Sequence, residues 1–390
     1  MRFLHAADLH LDSPLRAVSL RDPELGARLA LASRAVLSRI VDLALRERVD
    51  ALLLAGDVFD DAQPDLAART HLSAQLARLA RGGVQTVMIR GNHDALMDHA
   101  RHGPLGDDVH LLHAERPTVE IAGFAIHGLS HDAPHSRVSA LPRYPQPIPG
   151  RRNVGLMHSS LDGAAGHDPY APCAAADLLS HGYDYWALGH IHAREERRGE
   201  GTTVVMPGIP QGRHAREAGV GSVTLVTLGD GVRTERRDVA LLAFEAVTVD
   251  LQGLTDAQSR TLALTDALRG AARDGHEVAL RITLTGDGAT ALAEDPAGIL
   301  GALAADVEGV HVESARVAAV EAPADNPLAD DLSRLMAEEA AKSGFRAEAA
   351  AMLATLRAAL PPEARDAVPD DALDALLAEG MAALGARVGG

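Results

Sequence analysis

Cysteine occurs once in 390 residues, at Cys173, which excludes an internal disulfide framework and fits a reducing compartment. Lysine also occurs once, at Lys342. Nearly all positive charge is therefore guanidinium, which grips phosphate oxygens in pairs where an ammonium acts as a point charge. Aromatic residues are scarce at 3%, although a hydrophobic content of 47% is ordinary for a globular chain. No apolar run approaches the roughly 20 residues of a membrane span, and His5 and Asp8 interrupt the start of the chain where a secretory signal would be apolar. A soluble, cytoplasmic protein with no membrane contact is the expectation. Positive net charge is lacking too: the formal charge is −17, which excludes coating a polyanion by bulk electrostatics. Bound divalent cations would still reverse the field at a local site.

What the chain has is a recurring pattern in which an apolar run stops and a metal-ligand type follows. The central instance is Leu52-Leu53-Leu54-Ala55-Gly56-Asp57-Val58-Phe59-Asp60, a fully buried strand ending at a turn that presents one carboxylate. Asp8-Leu9-His10, Gly91-Asn92-His93-Asp94, His158 and Gly189-His190-Ile191-His192 repeat the form. Residues two apart on an extended segment point the same way, so Asp8 and His10 can bind one ion together.

Strands are expected at Met1 to Ala7, Val49 to Ala55, Val84 to Ile89, Thr118 to His127, Asn153 to His158, Tyr183 to Leu188, Thr202 to Met206 and Ser222 to Leu228. Two helices alternate with the early strands, carrying Val36, Leu37, Ile40 and Val41, then Leu66, Leu72, Leu76 and Leu79, at helical spacing. Such alternation predicts an α/β layered domain with ligands at strand ends. The proline-rich loop Leu141 to Pro149 is expected to be irregular and exposed, and Gly229-Asp230-Gly231 signals a closing hairpin.

Three domains follow: 1–240 for the ligand-bearing domain, 241–320 for an accessory β-α-β-α-β unit, and 321–390 for a linker with helices. The accessory unit reads as strands Phe244 to Asp250, Val278 to Thr285 and Val310 to Val317, with helices Thr255 to Ala272 and Ala289 to Ala304. Pro323 and Pro327 mark the linker. Helices then run over Leu328 to Lys342, Arg346 to Leu360 and Asp371 to Leu384, apolar on one side and acidic overall, as in a docking element for another protein or a hairpin folded on its own domain.

Asp8, His10, Asp57, Asn92, His158, His190 and His192 supply oxygen and nitrogen but no thiolate, which suits Mn²⁺ or a similar octahedral ion better than structural zinc. Seven ligands are too many for one ion and right for two sharing Asp57. Such a pair polarises a phosphoryl group and activates a water as nucleophile. His93 is placed to protonate the leaving oxygen, with Asp94 to orient its imidazole. Of the nineteen histidines, His5, His71, His99, His102, His110, His113, His127 and His131 are assigned to surface or core roles. Arg151, Arg152, Arg194, Arg197, Arg198, Arg213 and Arg216 form a candidate phosphate-facing rim, with Arg213 the one chosen as substrate-binding.

Together these five elements resemble the signature of the calcineurin-like metallophosphoesterases. Leu4-His5-Ala6-Ala7-Asp8-Leu9-His10-Leu11 and the Phe59-Asp60 extension are similar to SbcD-type DNA-repair nuclease subunits. Pro207-Gly208-Ile209-Pro210-Gln211-Gly212-Arg213-His214 resembles the YhaO-type exonuclease branch. The resemblance implies a four-layer α/β/β/α sandwich with a small α+β capping domain and C-terminal helices, and a dinuclear, usually manganese, site. Asp8, His10, Asp57 and His192 would hold one ion; Asp57, Asn92, His158 and His190 the other. The implied activity is 3′→5′ exonuclease and single-strand endonuclease cleavage of DNA, with His93 as the acid. The implied partner is an SMC-like coiled-coil ATPase contacted by the C-terminal helices, and relatives often form homodimers. Asp60 stands where archaeal and eukaryotic relatives carry a second histidine, as in many bacterial relatives. A small-molecule phosphodiesterase or nucleotide phosphatase would share every ligand, and a DNA-binding regulatory protein that cuts little is a third reading.

Overall fold

A computed structural model describes residues 1–13, 31–61, 63–97, 105–162, 170–318, 327–359 and 372–388. The chain divides into two compact units. One is built on the chain up to Glu245 with Arg273–Val278, the other on Ala246–Ala272 and the chain from Ala279.

In the first unit, β1 (Arg2–Ala6), β2 (Ala51–Ala55) and β3 (Gln85–Ile89) are short strands, β2 wholly apolar, that are buried on both faces beyond their first residue. They pair in parallel, Leu4 with Leu52 and Leu52 with Thr86. Their carboxyl ends therefore fall on one edge, carrying Asp8, Asp57 and Asn92. The sheet is completed by β4 (Val109–Leu111), β11 (Ser222–Leu228) and β12 (Val232–Asp238) in the order β12-β11-β1-β2-β3-β4. A second sheet is formed by β5 (Thr118–Ile121), β6 (Phe124–Gly128), β7 (Asn153–His158), β8 (Tyr185–Gly189), β9 (Glu195–Arg198) and β10 (Thr203–Met206). Its six strands run in the order β5-β6-β7-β8-β10-β9. Here β7 and β8 are parallel with His158 opposite Gly189, which brings His158, His190 and His192 out at one edge as well.

Alternation of side chains sorts three cores into layers. Phe3, Leu53, Val87, Leu156, Tyr185 and Ala187 pack between the two sheets. Leu4, Leu52, Leu54 and Met88 turn the other way, against α1 (Ala32–Arg46) and α2 (Leu66–Arg81). Met157, Trp186 and Leu188 pack on Leu178 of α3 (Ala175–Ser180). The result is the expected α/β/β/α sandwich.

Some local expectations are corrected. The single strand expected over Thr118 to His127 is a hairpin, because Ala122 and Gly123 take φ of 50° and 81° and reverse the chain. The loop from Leu141 is not freely exposed: Tyr144 is buried and its hydroxyl donates to the Leu156 carbonyl.

A third sheet joins β13 (Leu242–Asp250), β14 (Glu277–Thr285) and β15 (Val310–Val317) in the order β13-β14-β15, and all but the first residues of β13 and β14 belong to the second unit. Helices α4 (Ala257–Ala271) and α5 (Pro296–Ala304) lie in the connections. The helix expected from Ala289 is broken into a 3₁₀ turn, Asp287–Leu292, and α5. Pro296 cannot continue a helix from before it, whereas Asp295 caps a new one by accepting from the Gly298 N–H. Helices α6 (Pro327–Ala340), α7 (Ser343–Ala359) and α8 (Leu373–Val388) pack on one another. Pro323, Leu360 and Asp371 lie outside the described residues. Among those described, no helix is long and apolar enough to cross a membrane.

Candidate metal centre

The seven expected ligands converge where the strands of both sheets end. Asp8, His10, Asp57 and His190 have φ of 56°, 40°, 52° and 102°, a left-handed backbone that costs energy for any residue but glycine. The turns are held by pairing between the first two ligand loops, Asp8 N–H to the Gly56 carbonyl at 3.1 Å and His10 N–H to the Asp57 carbonyl at 3.1 Å. Gly91 permits the third loop to approach: a Cβ there would lie 2.2 Å from Asp57 Oδ1. Gly56 has φ of 92°, and a Cβ would meet His158 Nδ1 at 2.5 Å.

Neighbours at Nδ1 decide which way three imidazoles turn Nε2. His158 Nδ1 lies 2.9 Å from the Ala55 carbonyl, which can only accept, so Nδ1 carries the proton. Its Nε2 then faces Asn92 Oδ1 at 2.9 Å and Asp57 Oδ2 at 3.3 Å. Asn92 Oδ1 in turn is 3.2 Å from His190 Nδ1. His192 Nδ1 donates to Glu217 Oε1 at 2.6 Å, and His10 Nδ1 lies 2.9 Å from Asp60 Oδ1. That leaves the Nε2 atoms of His10 and His192 facing each other at 3.3 Å, with Asp8 Oδ1 4.0 Å from the second.

Facing acceptors at these separations are held together by a shared proton or a bound cation. Neighbouring donors on an octahedral ion, each about 2.1 Å from it, sit about 3 Å apart, so the observed spacings fit a cation in each set. Asp8, His10 and His192 form one group whose ligand atoms all lie within 4.8 Å of one another; Asp8, Asp57 and His158 form another. Electrostatics favour a neutral ring at His10 and a protonated one at His158. Burial, then the charge of Arg213, push the His10 pKa down and keep the ring neutral, as a ligand must be. Burial opposes charge on His158, but Asp57 beside it outweighs burial and raises its pKa to about 9, so an ion bound at Nε2 would take the place of a proton held there at neutral pH. Burial alone would raise the Asp57 pKa; the His158 charge holds it well below the usual carboxylate range.

The remaining candidates divide. His93 sits at the rim, 42% exposed, with its ring edge-on to His10 at 4.9 Å. Its backbone N–H donates to Asp57 Oδ1 at 2.9 Å and its ring Nδ1 lies 3.1 Å from the Asp60 carbonyl. The expected support of His93 by Asp94 is corrected. Asp94 is buried, and its two oxygens accept from the Gly91 N–H at 2.7 Å and the Val58 N–H at 2.9 Å, tying the second ligand loop to the third. Burial, then the nearby Asp57 charge, push its pKa up to about 6. Asp60 is the acid beside His93, and with His10 and His93 it forms a third potential ligand group. Arg213 sends one guanidinium nitrogen to Asp60 Oδ1 at 3.0 Å and the other to Glu217 Oε1 at 3.3 Å.

Three residues escaped the sequence reading. Glu217 supports His192. Tyr170 lays its ring 5.6 Å from that of His190. His131, assigned a structural role, has Nε2 2.7 Å from the His158 carbonyl. Of the histidines set aside, His5 is buried between Tyr185 and the Leu188 carbonyl and His127 between Thr118 and Asn153, away from the ligands. His99 and His102 lie outside the described residues.

Residues 1–194 match the calcineurin-like phosphoesterase family. A Bacillus subtilis protein, the uncharacterized metallophosphoesterase YhaO, is 33% identical over 308 residues, 77% of this chain and 75% of its own length. The DNA double-strand break repair protein Mre11 of Saccharolobus solfataricus is 28% identical over 222 residues; the match spans about half of each, 54%. A subunit of the SbcCD nuclease of Rhodobacter capsulatus is 42% identical over 96 residues, 24% of this chain and 22% of that one.

Proposed function

The chain belongs to the calcineurin-like metallophosphoesterases, and from that premise we propose that it hydrolyses phosphodiester bonds of DNA in repair. The activity would be 3′→5′ exonuclease and single-strand endonuclease, with two Mn²⁺ ions as cofactor. The supporting observation is that two donor groups, Asp8 with His10 and His192 and Asp8 with Asp57 and His158, lie side by side, with Asp57 Oδ2 3.9 Å from His10 Nε2 and 3.3 Å from His158 Nε2. Relatives named as DNA-break repair and nuclease proteins support the choice of DNA.

In this proposal Asp8, His10, Asp57 and His192 hold one ion, and Asp57, Asn92, His158 and His190 the other. Bound ions supply Lewis acidity toward the phosphoryl oxygens and make water a competent nucleophile near neutral pH. The chain's own groups do the rest. Two carboxylates, Asp8 and Asp57, offset the cations in a buried site. His93 delivers a proton to the leaving oxygen; with Nδ1 turned to the Asp60 carbonyl, Nε2 is the nitrogen left to exchange it. Asp60 keeps His10 and His93 in register, and Asp94 fixes the loops of Asp57 and Asn92.

Helices α6 to α8 are proposed to dock an SMC-like coiled-coil ATPase. Large apolar side chains exposed along them, Leu335, Met352, Leu356 and Leu376, support that assignment. A homodimer is part of the same proposal. The test is degradation of 3′-labelled linear and single-stranded DNA with and without Mn²⁺ and the purified ATPase, beside a His93→Ala control. Mn²⁺-dependent cutting that the control loses is expected. Equal degradation by both proteins would refute the assignment.

A further inference from the structure

The segment from Pro207 to Ser222, singled out in the sequence but given no part in the chemistry, walls a cavity of about 610 Å³ beside the metal centre. His192 lines both, so whatever enters the cavity lies next to the first ion set. Four arginines converge on it: Arg194, Arg213, Arg216 and Arg236. Arg194 is paired with Glu196, Arg213 with Asp60 and Glu217, and Arg236 with Asp238, so the wall is lined with guanidinium groups already fixed in place, in a chain of net charge −17.

Glu217 is the carboxylate in the lining, and it is turned away from an incoming anion. It is buried and committed to His192 and Arg213. Arg216 and Arg236 are exposed at the mouth, where Arg236 is held by Asp238 at 2.8 Å and the Val220 carbonyl at 2.6 Å. These contacts engage Nε and Nη2 of Arg236 and leave Nη1 as the nitrogen to donate to a phosphate oxygen. The volume exceeds what a lone phosphate needs and falls within the range of about 300–1,000 Å³ for small-molecule sites, enough for a sugar and base besides.

We propose that this cavity is a subsite for the nucleotide adjoining the scissile bond, its arginines taking that nucleotide's phosphate. The proposal rests on the phosphodiesterase reading above and adds to it where the strand lies: on the His192 side, under the 207–222 segment. A generic diester without a neighbouring phosphate would not use the subsite.

The test compares the wild-type protein with the double variant Arg216→Glu/Arg236→Glu and the single variant Arg216→Gln, on two substrates. For bis(p-nitrophenyl) phosphate, kcat/KM should stay within about twofold in both variants. For a single-stranded oligonucleotide, KM should rise at least tenfold in the double variant and severalfold in the single one. Inhibition of the generic reaction by deoxythymidine monophosphate should weaken by a like factor. Unchanged oligonucleotide KM, unchanged inhibition, or an equal fall on both substrates would each overturn the subsite. A wild-type protein that leaves bis(p-nitrophenyl) phosphate intact with every divalent cation would instead overturn the phosphodiesterase reading, and the subsite with it.

Discussion

Replacing Glu217 by glutamine should weaken one ion and spare the other. Glu217 Oε1 accepts from His192 Nδ1 at 2.6 Å, Oε2 accepts from the Arg213 backbone N–H at 2.5 Å, and Arg213 Nη2 is 3.3 Å away. Its side chain is 5% exposed, so solvent screens little of this. Burial opposes its charge, yet the His192 bond and the Arg213 charge hold its pKa down at about 2. Glutamine keeps the shape but accepts at one oxygen only and carries no charge. A hydrogen bond to a charged group is worth about 1.5–3 kcal/mol against about 0.5–1.5 for a neutral one, so about 1–1.5 kcal/mol is lost at His192. That corresponds to about tenfold in affinity, the lower end of the 10–100-fold typical for partners behind a metal ligand. His158, in the other set, takes its support from the Ala55 carbonyl and is untouched. Titration of metal-free protein with Mn²⁺, followed by calorimetry and by elemental analysis after dialysis, should show one site about tenfold weaker and the other unchanged. Equal weakening of both sites, or of neither, would refute the reasoning.

His93→Ala should lower kcat by about 10²–10⁴-fold, the usual range for a general acid, while Mn²⁺ stoichiometry stays unchanged; loss of ions along with rate would make His93 a ligand. Gly91→Ala should destabilise the fold by about 1–3 kcal/mol through overpacking, since the new Cβ falls 2.2 Å from Asp57 Oδ1. Thermal melting beside ion binding checks it, and a variant with unchanged melting and ion affinity would contradict the close approach.

The convergence of these side chains was legible because each proposed ligand sits in a local pattern. An apolar strand fixes which way the next residues leave the sheet, and parallel strands share one exit edge, so Asp8, Asp57, Asn92, His158 and His190 were visible from where their strands stop. What failed was of two kinds. Glu217 pairs with His192 across 25 residues and His131 with His158 across 27, and neither has a periodic or spacing signal. The Glu217 contact is made by a loop whose course depends on tertiary packing. Asp94 misled through its sequence neighbour: adjacent side chains in a turn diverge, and its carboxylate serves backbone N–H groups instead of the His93 ring. In the fold, Ala122 taking a left-handed conformation hid a hairpin that asparagine or a second glycine would have signalled.

The most direct measurement is the number of ions each chain holds. Metal-free protein dialysed to equilibrium against Mn²⁺ should retain two ions per chain, and Asp57→Ala, lacking the shared carboxylate, should retain one or none. A wild-type protein that saturates at a single ion, or an Asp57→Ala protein that still holds two, would contradict a dinuclear centre built around Asp57.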